Sequence, residues 1–420
     1  MANEDSAAAP RSLKPNAMTS PTTSETGDHG TVVCPACGET VPAGTFCGDC
    51  GAELAASPSY WRTVLRPNVF AAAPRERLAI PLVTSSLFPH LERPSRSPFR
   101  IGLIVLILAL IGCSLLRLIG PLITVAGLGV PVLFVLYLWQ TDVYRDMPRH
   151  GLLVSALIGG VLGAGWTLFT GGVVARAYGI PIAAGFALEQ VLSVGLAISL
   201  VGAFLMTVPA IVVRLLRPPR RESLDGFVIG AMGALAFTGA ATITNFAPQF
   251  VAGLITNVPT LRLSVHAALY GLAVPLTAGA SGGLIGIALW FRAGPQSRAR
   301  RWRVRAALLF FTFVVGALYS GIWIMEAARM PQLVQLLMHV VLALIALIAL
   351  RVAIQMALLR EAHDPPTGQP ILCVHCDRVV PDMPFCPACG AAARASSRFS
   401  RRLRRESPPV LSGADPDGSV

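Results

Sequence analysis

The sequence has few charged residues and a large excess of apolar ones. Charged side chains make up 13% of its 420 residues and hydrophobic side chains 54%, whereas soluble domains average about 25% charged and 45–50% apolar residues. This balance excludes an ordinary soluble globular domain. It predicts a membrane protein.

The N-terminal segment also lacks the apolar core of a secretory signal peptide. Residues 1–30 are polar and without periodicity, so we expect an uncleaved, disordered tail that stays in the cytosol. Residues 54–98 have a similar composition and predict a flexible linker, and residues 393–420 predict a basic disordered tail. In a reducing cytosol, disulfides among the nine cysteines are not expected.

Long apolar windows fill the middle of the chain, over residues 99–361. Each is close to the roughly 20 residues that a helix needs to cross the hydrocarbon core of a bilayer. The predicted spans are 100–117, 120–139, 151–171, 182–213, 224–245, 264–291, 305–325 and 332–360. The predicted fold class is therefore an all-α polytopic membrane protein with about eight transmembrane helices.

Arginine carries almost all of the net charge of +12, and its distribution orients the predicted bundle. Short cytosolic loops retain positive charge. The loops before the first span and after the even-numbered spans hold 16 arginines, against 4 in the opposite loops. This asymmetry predicts a protein of the cell membrane with both termini in the cytosol. It argues against nucleic acid as a partner, and it makes anionic lipid headgroups the expected contact of the basic segment 394–405.

Eight of the nine cysteines fall in two copies of one phrase. "CPACGETVPAGTFCGDCG" begins at residue 34 and "CVHCDRVVPDMPFCPACG" at residue 373, an offset of 339 positions (373 − 34). Each copy has two Cys-x2-Cys pairs separated by nine residues, the spacing of a four-thiolate zinc site. With four protein sulfurs such a site is structural and not hydrolytic. We expect two structural Zn²⁺ ions, held by Cys34, Cys37, Cys47, Cys50, Cys373, Cys376, Cys386 and Cys389.

The two repeats, residues 31–53 and 370–392, resemble the short zinc-ribbon modules common in prokaryotic membrane proteins. So small a segment cannot bury a core, and its fold depends on the metal. We interpret the ribbons as cytosolic docking modules for protein partners. The sequence leaves open whether they pack together. His375, between two ligands, is expected to face solvent.

Ionisable side chains inside the predicted spans are candidates for function, because burying a charge in lipid is costly. Glu189 and His266 lie near the outer ends of the fourth and sixth spans, at depths that would allow a hydrogen bond between them. His339 and Arg351 are expected to form hydrogen bonds inside the bundle. The glycine-rich stretches "GGVLGAG" and "GGLIG" predict close helix packing.

The stretch "LDGFVIGAMGALAFTGAAT" (224–242), with "VHAALYGLAVPLTAG" (265–279), resembles the PrsW branch of the CAAX-protease and bacteriocin-processing superfamily of intramembrane proteases. The resemblance implies a Glu-Glu-x-x-Lys helix, then an Asp-Gly and glycine-rich motif ending in Glu-Asn, then a histidine. Glu189-Gln190-x-x-Ser193 falls where the first motif belongs, and Phe237 and His266 match the family's phenylalanine and histidine.

In that family the glutamates are expected to activate water. Gln190 and Ala241 stand where the resemblance implies glutamates, and neither can accept a proton from water. We therefore predict a non-catalytic scaffold or regulatory protein that recruits partners at the membrane. Two alternatives stay open: an active PrsW-type protease that uses Glu189 and His266, and a transporter, which would need several polar residues along one path.

Overall fold

The protein is mostly helical over the residues that a computed structural model describes. These residues are 30–55, 65–91, 96–147, 149–178, 187–216, 222–252, 259–292, 331–361 and 368–407, with short stretches between 302 and 317. The helices are α1 (Val83–Ser86), α2 (Arg96–Leu115), α3 (Ile119–Gln140), α4 (Val143–Asp146), α5 (Arg149–Tyr178), α6 (Ala187–Leu215), α7 (Ser223–Ala252), α8 (Thr260–Ala268), α9 (Val274–Trp290), α10 (Gln332–Arg360) and α11 (Arg398–Glu406). A π-helical turn, Leu269–Ala273, joins α8 to α9.

Among the described residues, 7 helical stretches are long and apolar enough to cross a membrane. They lie in α2, α3, α5, α6, α7, the continuous α8–α9 and α10. They coincide with seven of the predicted windows, which confirms a helical fold of the membrane type. About half of the remaining window, 305–325, lies outside the described residues.

Helix α7 lies at the centre of the bundle, between α3, α5 and α9. Gly226 and Gly230 of α7 face Gly286 and Gly282 of α9 so closely that a methyl group at any of these positions would strike backbone atoms. Gly159 of α5 meets the other side of α7 in the same way. Small residues let helix backbones approach in lipid. The packing predicted for both glycine-rich stretches is therefore confirmed.

Each cysteine-rich repeat contains a two-stranded antiparallel hairpin. The strands are β1 (Thr31–Val33), β2 (Thr40–Pro42), β3 (Pro370–Leu372) and β4 (Val379–Pro381). Val32 pairs with Val41 in the first hairpin, and Ile371 pairs with Val380 in the second. These are equivalent positions of the two copies, so both repeats have one register.

Residues 65–91, which we call the insert, fold against the bundle between the first ribbon and α2. Phe70, Leu87 and Leu91 of the insert are 0% exposed. The structure here differs from the flexible linker expected over 54–98. The reason is that side chains of α2 and α10 bind the polar backbone groups of the insert, and the composition of the segment does not reveal this.

The C-terminal segment is likewise folded as far as it is described. Residues Ala393–Ala395 form a 3₁₀ turn and α11 follows, ending at Glu406. We expected a disordered tail over 393–420. The difference up to residue 407 has an electrostatic cause, since the arginines of this segment pair with acidic side chains at the ends of the bundle helices.

Candidate metal centres and the module they form

Two clusters of four cysteines bring their sulfur atoms around one point each. Within each cluster the Sγ atoms all lie within 4.8 Å of one another. The members are Cys34, Cys37, Cys47 and Cys50 in the first cluster and Cys373, Cys376, Cys386 and Cys389 in the second. The eight cysteines predicted as ligands are thus brought together as two complete sets.

The sulfur spacing fits a tetrahedral metal site. The Sγ atoms of Cys34 and Cys50 are 3.8 Å apart, as are those of Cys37 and Cys47, and both equivalent distances in the second cluster are 3.8 Å. Four sulfurs at about 2.3 Å from a zinc ion would be about 3.8 Å apart. A disulfide would hold them at about 2.05 Å. Each cluster can therefore hold one metal ion.

The two ribbons contact each other through a reciprocal pair of backbone hydrogen bonds. The Phe46 N–H donates to the carbonyl oxygen of Pro387 at 2.9 Å, and the Phe385 N–H donates to the carbonyl oxygen of Gly48 at 2.9 Å. Phe385 and Pro387 are the repeat equivalents of Phe46 and Gly48. The interface is therefore isologous, as between the subunits of a two-fold dimer, although both halves belong to one chain.

Side-chain packing across this interface follows the same symmetry. A methyl group at Gly51 would meet the Phe385 ring at 2.6 Å, and one at the equivalent Gly390 would meet the Phe46 ring at 2.9 Å. Gly390 and Gly51 have φ of +74° and +65°, a conformation that glycine adopts without strain. These glycines therefore serve both the tight turn of their own ribbon and the close approach of the other.

The insert contacts both ribbons and holds them against the bundle. The Arg66 guanidinium donates to the Cys50 carbonyl oxygen and lies 4.7 Å from the centre of the Phe385 ring. Burial lowers the pKa of Arg66 to about 10, so that it stays charged at neutral pH. The Ala392 N–H donates to the Ala71 carbonyl oxygen at 2.9 Å. Both ribbons therefore rest on the insert.

Arg351 explains how the insert is held in the bundle. This side chain is 0% exposed. Its guanidinium lies 3.2 Å from a carboxylate oxygen of Glu76 and donates to the carbonyl oxygens of Leu78 at 3.2 Å and Arg77 at 3.0 Å. It also lies 4.2 Å from the centre of the Phe70 ring. The expectation that Arg351 forms hydrogen bonds inside the bundle is confirmed, and its partners belong to the insert.

Gln355, one helical turn further along α10, binds the backbone of the same segment. Its Oε1 accepts from the Ala71 N–H at 2.7 Å, and its Nε2 donates to the carbonyl oxygens of Leu65 at 3.1 Å and Val69 at 3.0 Å. Irregular backbone is tolerated among membrane helices only where its polar groups are satisfied by protein. Arg351 and Gln355 satisfy them here.

The insert reaches well into the bundle. Arg351 precedes the end of α10 at Arg360 by nine residues (360 − 351), which corresponds to about 13 Å at 1.5 Å per residue. Leu87 packs against Gly279 of α9, eleven residues before the end of that helix at Trp290 (290 − 279), or about 16 Å. The insert therefore occupies the ribbon-side half of the bundle interior.

The arginines of the C-terminal segment tie the second ribbon to the ends of the bundle helices. Arg398 forms ion pairs with Glu222 and Asp225 at the start of α7. Arg401 lies 2.9 Å from Glu222. Asp146 accepts hydrogen bonds from the first backbone N–H groups of α11, including that of Phe399 at 2.8 Å, where a carboxylate is favoured by the helix dipole. These arginines are engaged within the protein, and contact of this segment with anionic lipid stays a prediction.

Glu361 adds a buried carboxylate to the same junction. It is 4% exposed, lies 3.2 Å from Arg394, and accepts from the backbone N–H of Ser223 at 2.9 Å. Burial raises the pKa of Glu361 to about 7, against the opposing attraction of Arg394. At neutral pH the Glu361 carboxyl group therefore binds a proton more readily than an exposed glutamate does.

His375 is buried, at 8% exposed, and does not face solvent as expected. It is not a member of the second cysteine cluster. Its position is explained by the insert and by α2, whose Pro74, Arg75 and Arg96 form a pocket with the second ribbon. Burial lowers the pKa of His375 to about 4, so the imidazole is neutral at neutral pH.

On the opposite side of the bundle, His266 lines a cleft of about 270 Å³. Arg262, Gln249 and Tyr270 line it as well, and the Tyr270 ring centre is 6.1 Å from that of His266. None of the described residues that line the cleft is a carboxylate. Glu189 lies on α6, but its side chain falls outside the described part, so the expected contact between Glu189 and His266 stays a prediction.

Comparisons with protein-family models, with curated proteins and with solved structures found no match to this chain. The class of protein is therefore defined by the fold and the two centres alone. The chain forms a helical bundle of the membrane type with two four-cysteine clusters suited to metal ions.

Sequence reasoning missed the interface between the ribbons and the polar residues that hold the insert. One signal was present, since a phenylalanine precedes the third cysteine in both repeats. These two phenylalanines, Phe46 and Phe385, are the centre of the interface. Glu76 and Gln355 gave no comparable signal, because each lies in a segment whose partner is remote in the sequence.

Proposed function

We propose that this protein is a non-catalytic membrane scaffold whose two zinc ribbons form one docking module on the cytosolic face. The observation that carries the proposal is the reciprocal pairing of Phe46 with Pro387 and of Phe385 with Gly48. It joins the N-terminal and C-terminal ribbons into one body. Zinc is the metal that four thiolates at this spacing favour, and the arginine asymmetry supports a cytosolic position of the module.

The module has a surface suited to a protein partner. Val33 of the first hairpin is 63% exposed and its repeat equivalent Leu372 is 43% exposed. Val32 and Val379 add further exposed aliphatic side chains, at 44% and 42%. Leu372 and Val379 are cross-strand partners and form an exposed apolar pair on the second hairpin, and Val33 is the equivalent of Leu372 on the first. A partner with apolar side chains can bury these positions.

The resemblance to PrsW-type proteases is compatible with this function because the matching residues have structural partners. Asp225 of the "DGF" stretch pairs with Arg398, Gly226 packs on Gly286, and Phe227 is 0% exposed. These contacts give the residues of this stretch a structural role that requires no catalysis.

Photo-crosslinking in intact cells tests the scaffold. A crosslinking amino acid at position 33 or 372 is expected to capture one protein partner, whereas the exposed position 402 of α11 is the control. With the crosslinking amino acid at position 33, Leu372→Glu should weaken the adduct, and with the crosslinker at position 372, Val33→Glu should do the same, while the metal content stays unchanged. Equal adducts from position 402, or no adduct from positions 33 and 372, would contradict the proposal.

A PrsW-type protease is the second candidate, and the cleft around His266 favours it. The wild type and Glu189→Gln are compared on single-span substrates in liposomes. A scaffold cleaves none of them, and Glu189→Gln should change stability little because an amide can still form a hydrogen bond. Cleavage by the wild type that is lost in a folded Glu189→Gln variant would establish the protease instead.

A further inference from the structure

A pocket of about 230 Å³ lies where the insert, the start of α2 and the second ribbon meet. Three guanidinium groups line it, those of Arg75, Arg96 and Arg378, together with the imidazole of His375. Its other lining residues are Pro74, Ala388 and two cysteines of the second cluster, Cys376 and Cys389, and none of them is a carboxylate. The volume is below the range of about 300–1,000 Å³ typical of pockets for drug-sized ligands, so it suits a small anionic group.

Three of these four side chains lack partners within the described part of the chain. The side chains of Arg75, Arg378 and His375 have no hydrogen-bond or ion-pair partner among the residues that the structure describes. His375 is nevertheless only 8% exposed. Arg75 and Arg378 are exposed, so a ligand that enters the pocket from the surface can reach both guanidinium groups. Arg96 is anchored by Glu76, at 3.4 Å, and by the carbonyl oxygen of Ala72, at 3.0 Å.

Comparison with the first ribbon shows whether a cysteine cluster needs basic side chains at these positions. A metal with four thiolates carries negative charge, which nearby arginines could neutralise. However, the repeat equivalents of His375 and Arg378 are Ala36 and Glu39. The first cluster has the same sulfur geometry without a basic group at either position. The cysteine site therefore does not require them, and they call for another explanation.

The position of the pocket indicates the kind of anion. Arg96 is the first residue of α2, which is the first helix able to cross a membrane, so the pocket lies at the level where the bundle would leave the hydrocarbon. Guanidinium groups match phosphate oxygens in geometry and charge. Anionic lipids are concentrated in the cytosolic leaflet, the side that the arginine asymmetry assigns to the ribbons.

We propose that Arg75, Arg96, Arg378 and His375 form a binding site for a phosphate group at the junction of the second ribbon and the bundle. The group belongs either to a lipid headgroup or to a free phosphate. In both cases its oxygens accept hydrogen bonds from Arg75 and Arg378, which come from the insert and the ribbon. The bound phosphate therefore joins the ribbon module to the insert.

The test uses the full-length, metal-loaded protein in nanodiscs. In one arm, inorganic phosphate is titrated into protein in phosphatidylcholine nanodiscs, and binding is followed by ³¹P NMR line broadening. In the other arm, nanodiscs contain phosphatidylcholine with phosphatidylglycerol or phosphatidic acid, and native mass spectrometry counts the lipids that the protein retains. Binding in the first arm identifies a free phosphate, and retention of the anionic lipid in the second identifies a headgroup.

The variant Arg75→Gln with Arg378→Gln is expected to weaken binding at least tenfold in the arm where the wild type binds. The control is Arg77→Gln with Arg402→Gln, which removes the same charge from exposed positions outside the pocket and should bind as the wild type does. The metal content of all three proteins should be equal. The proposal is overturned if the wild type binds in neither arm or if both variants bind alike. It is also overturned if the pocket variant loses metal, because the arginines would then stabilise the metal site of the ribbon.

Discussion

Phe46 and Pro387 lie 341 positions apart in the sequence (387 − 46), and the Phe46 N–H donates to the Pro387 carbonyl oxygen at 2.9 Å. The mirror bond from Phe385 to Gly48 makes the contact reciprocal. A chain that carries the same metal-binding repeat on both sides of its helical bundle can thus form a two-fold-like interface within itself. Because both ribbons belong to one chain, their association costs less entropy than that of two separate molecules.

The first prediction concerns metal content. The purified protein should contain two zinc ions, because both clusters have four sulfurs at tetrahedral spacing. Cys34→Ser should leave about one ion per chain and should also speed the extraction of metal from the second ribbon by a chelator, since the two ribbons support each other. Elemental analysis and timed chelation measure both effects. Cys113→Ser, outside the clusters, should retain both ions, and an unchanged extraction rate in Cys34→Ser would show that the ribbons are independent.

The second prediction concerns the interface between the ribbons. A side chain at Gly44 would meet the Pro387 carbonyl oxygen at 2.8 Å, whereas one at Gly30 would meet nothing within 4 Å. Gly44→Val should therefore separate the ribbons and expose the amides of Phe46 and Phe385 to faster hydrogen exchange. Gly30→Val is the matched control and should exchange as the wild type does. Unchanged protection of both amides in Gly44→Val would argue against the paired arrangement.

The third prediction concerns the insert. Arg351→Met leaves Glu76 without its most deeply buried partner, and it removes the guanidinium donors of the Leu78 and Arg77 carbonyl oxygens, of which Arg77 keeps the Ile80 N–H. Breaking a buried ion pair by removing one partner costs about 3–5 kcal/mol. Denaturant unfolding in detergent should show a loss of this order, with faster hydrogen exchange over 65–91.

The control for this variant is Arg77→Met. The Arg77 side chain is exposed, and only its backbone carbonyl contributes to the network, so the free energy of unfolding should change by less than about 0.5 kcal/mol. Equal stabilities of the two variants would mean that Arg351 does not hold the insert.

The fourth prediction concerns pH. The pKa of Glu361 is about 7 in the folded protein, against an ordinary value of 4.5 for glutamate. Between these values the folded state binds more protons than the unfolded state, so the contribution of Glu361 to stability falls as the pH rises from 4.5 to about 7. The loss across this window should be about 2–3 kcal/mol.

Glu361→Gln should remove this part of the pH dependence, since the amide does not titrate. The comparison is made on the difference between variant and wild type, because protonation of the cysteine ligands at low pH affects both proteins alike. Parallel stability curves for the two proteins between pH 4.5 and 7 would contradict the assignment to Glu361.

The sequence by itself determined the elements whose cause is local. The seven described helices that are long and apolar enough to cross a membrane follow from apolar windows, because the hydrophobicity of each segment is set by its own residues. The cysteine clusters follow from two Cys-x2-Cys pairs because each pair occupies one short turn, which sets the ligand positions over a few residues. The close approach of α7 to α9 was indicated by Gly282 and Gly286, since only small residues permit it.

Only the tertiary structure decided how these elements combine. The composition of residues 65–91 indicates a linker, and the segment is nevertheless folded because Arg351 and Gln355, more than 260 positions later, satisfy its backbone. The composition of α11 predicts a basic disordered tail. The fold places Glu222 beside Arg398 and Arg401 and so orders this segment. A hydrogen bond or an ion pair between remote segments depends on where the whole fold places them. Local composition does not encode that position. Three features are therefore properties of the folded chain: the pairing of the ribbons, the burial of the insert and the docking of α11.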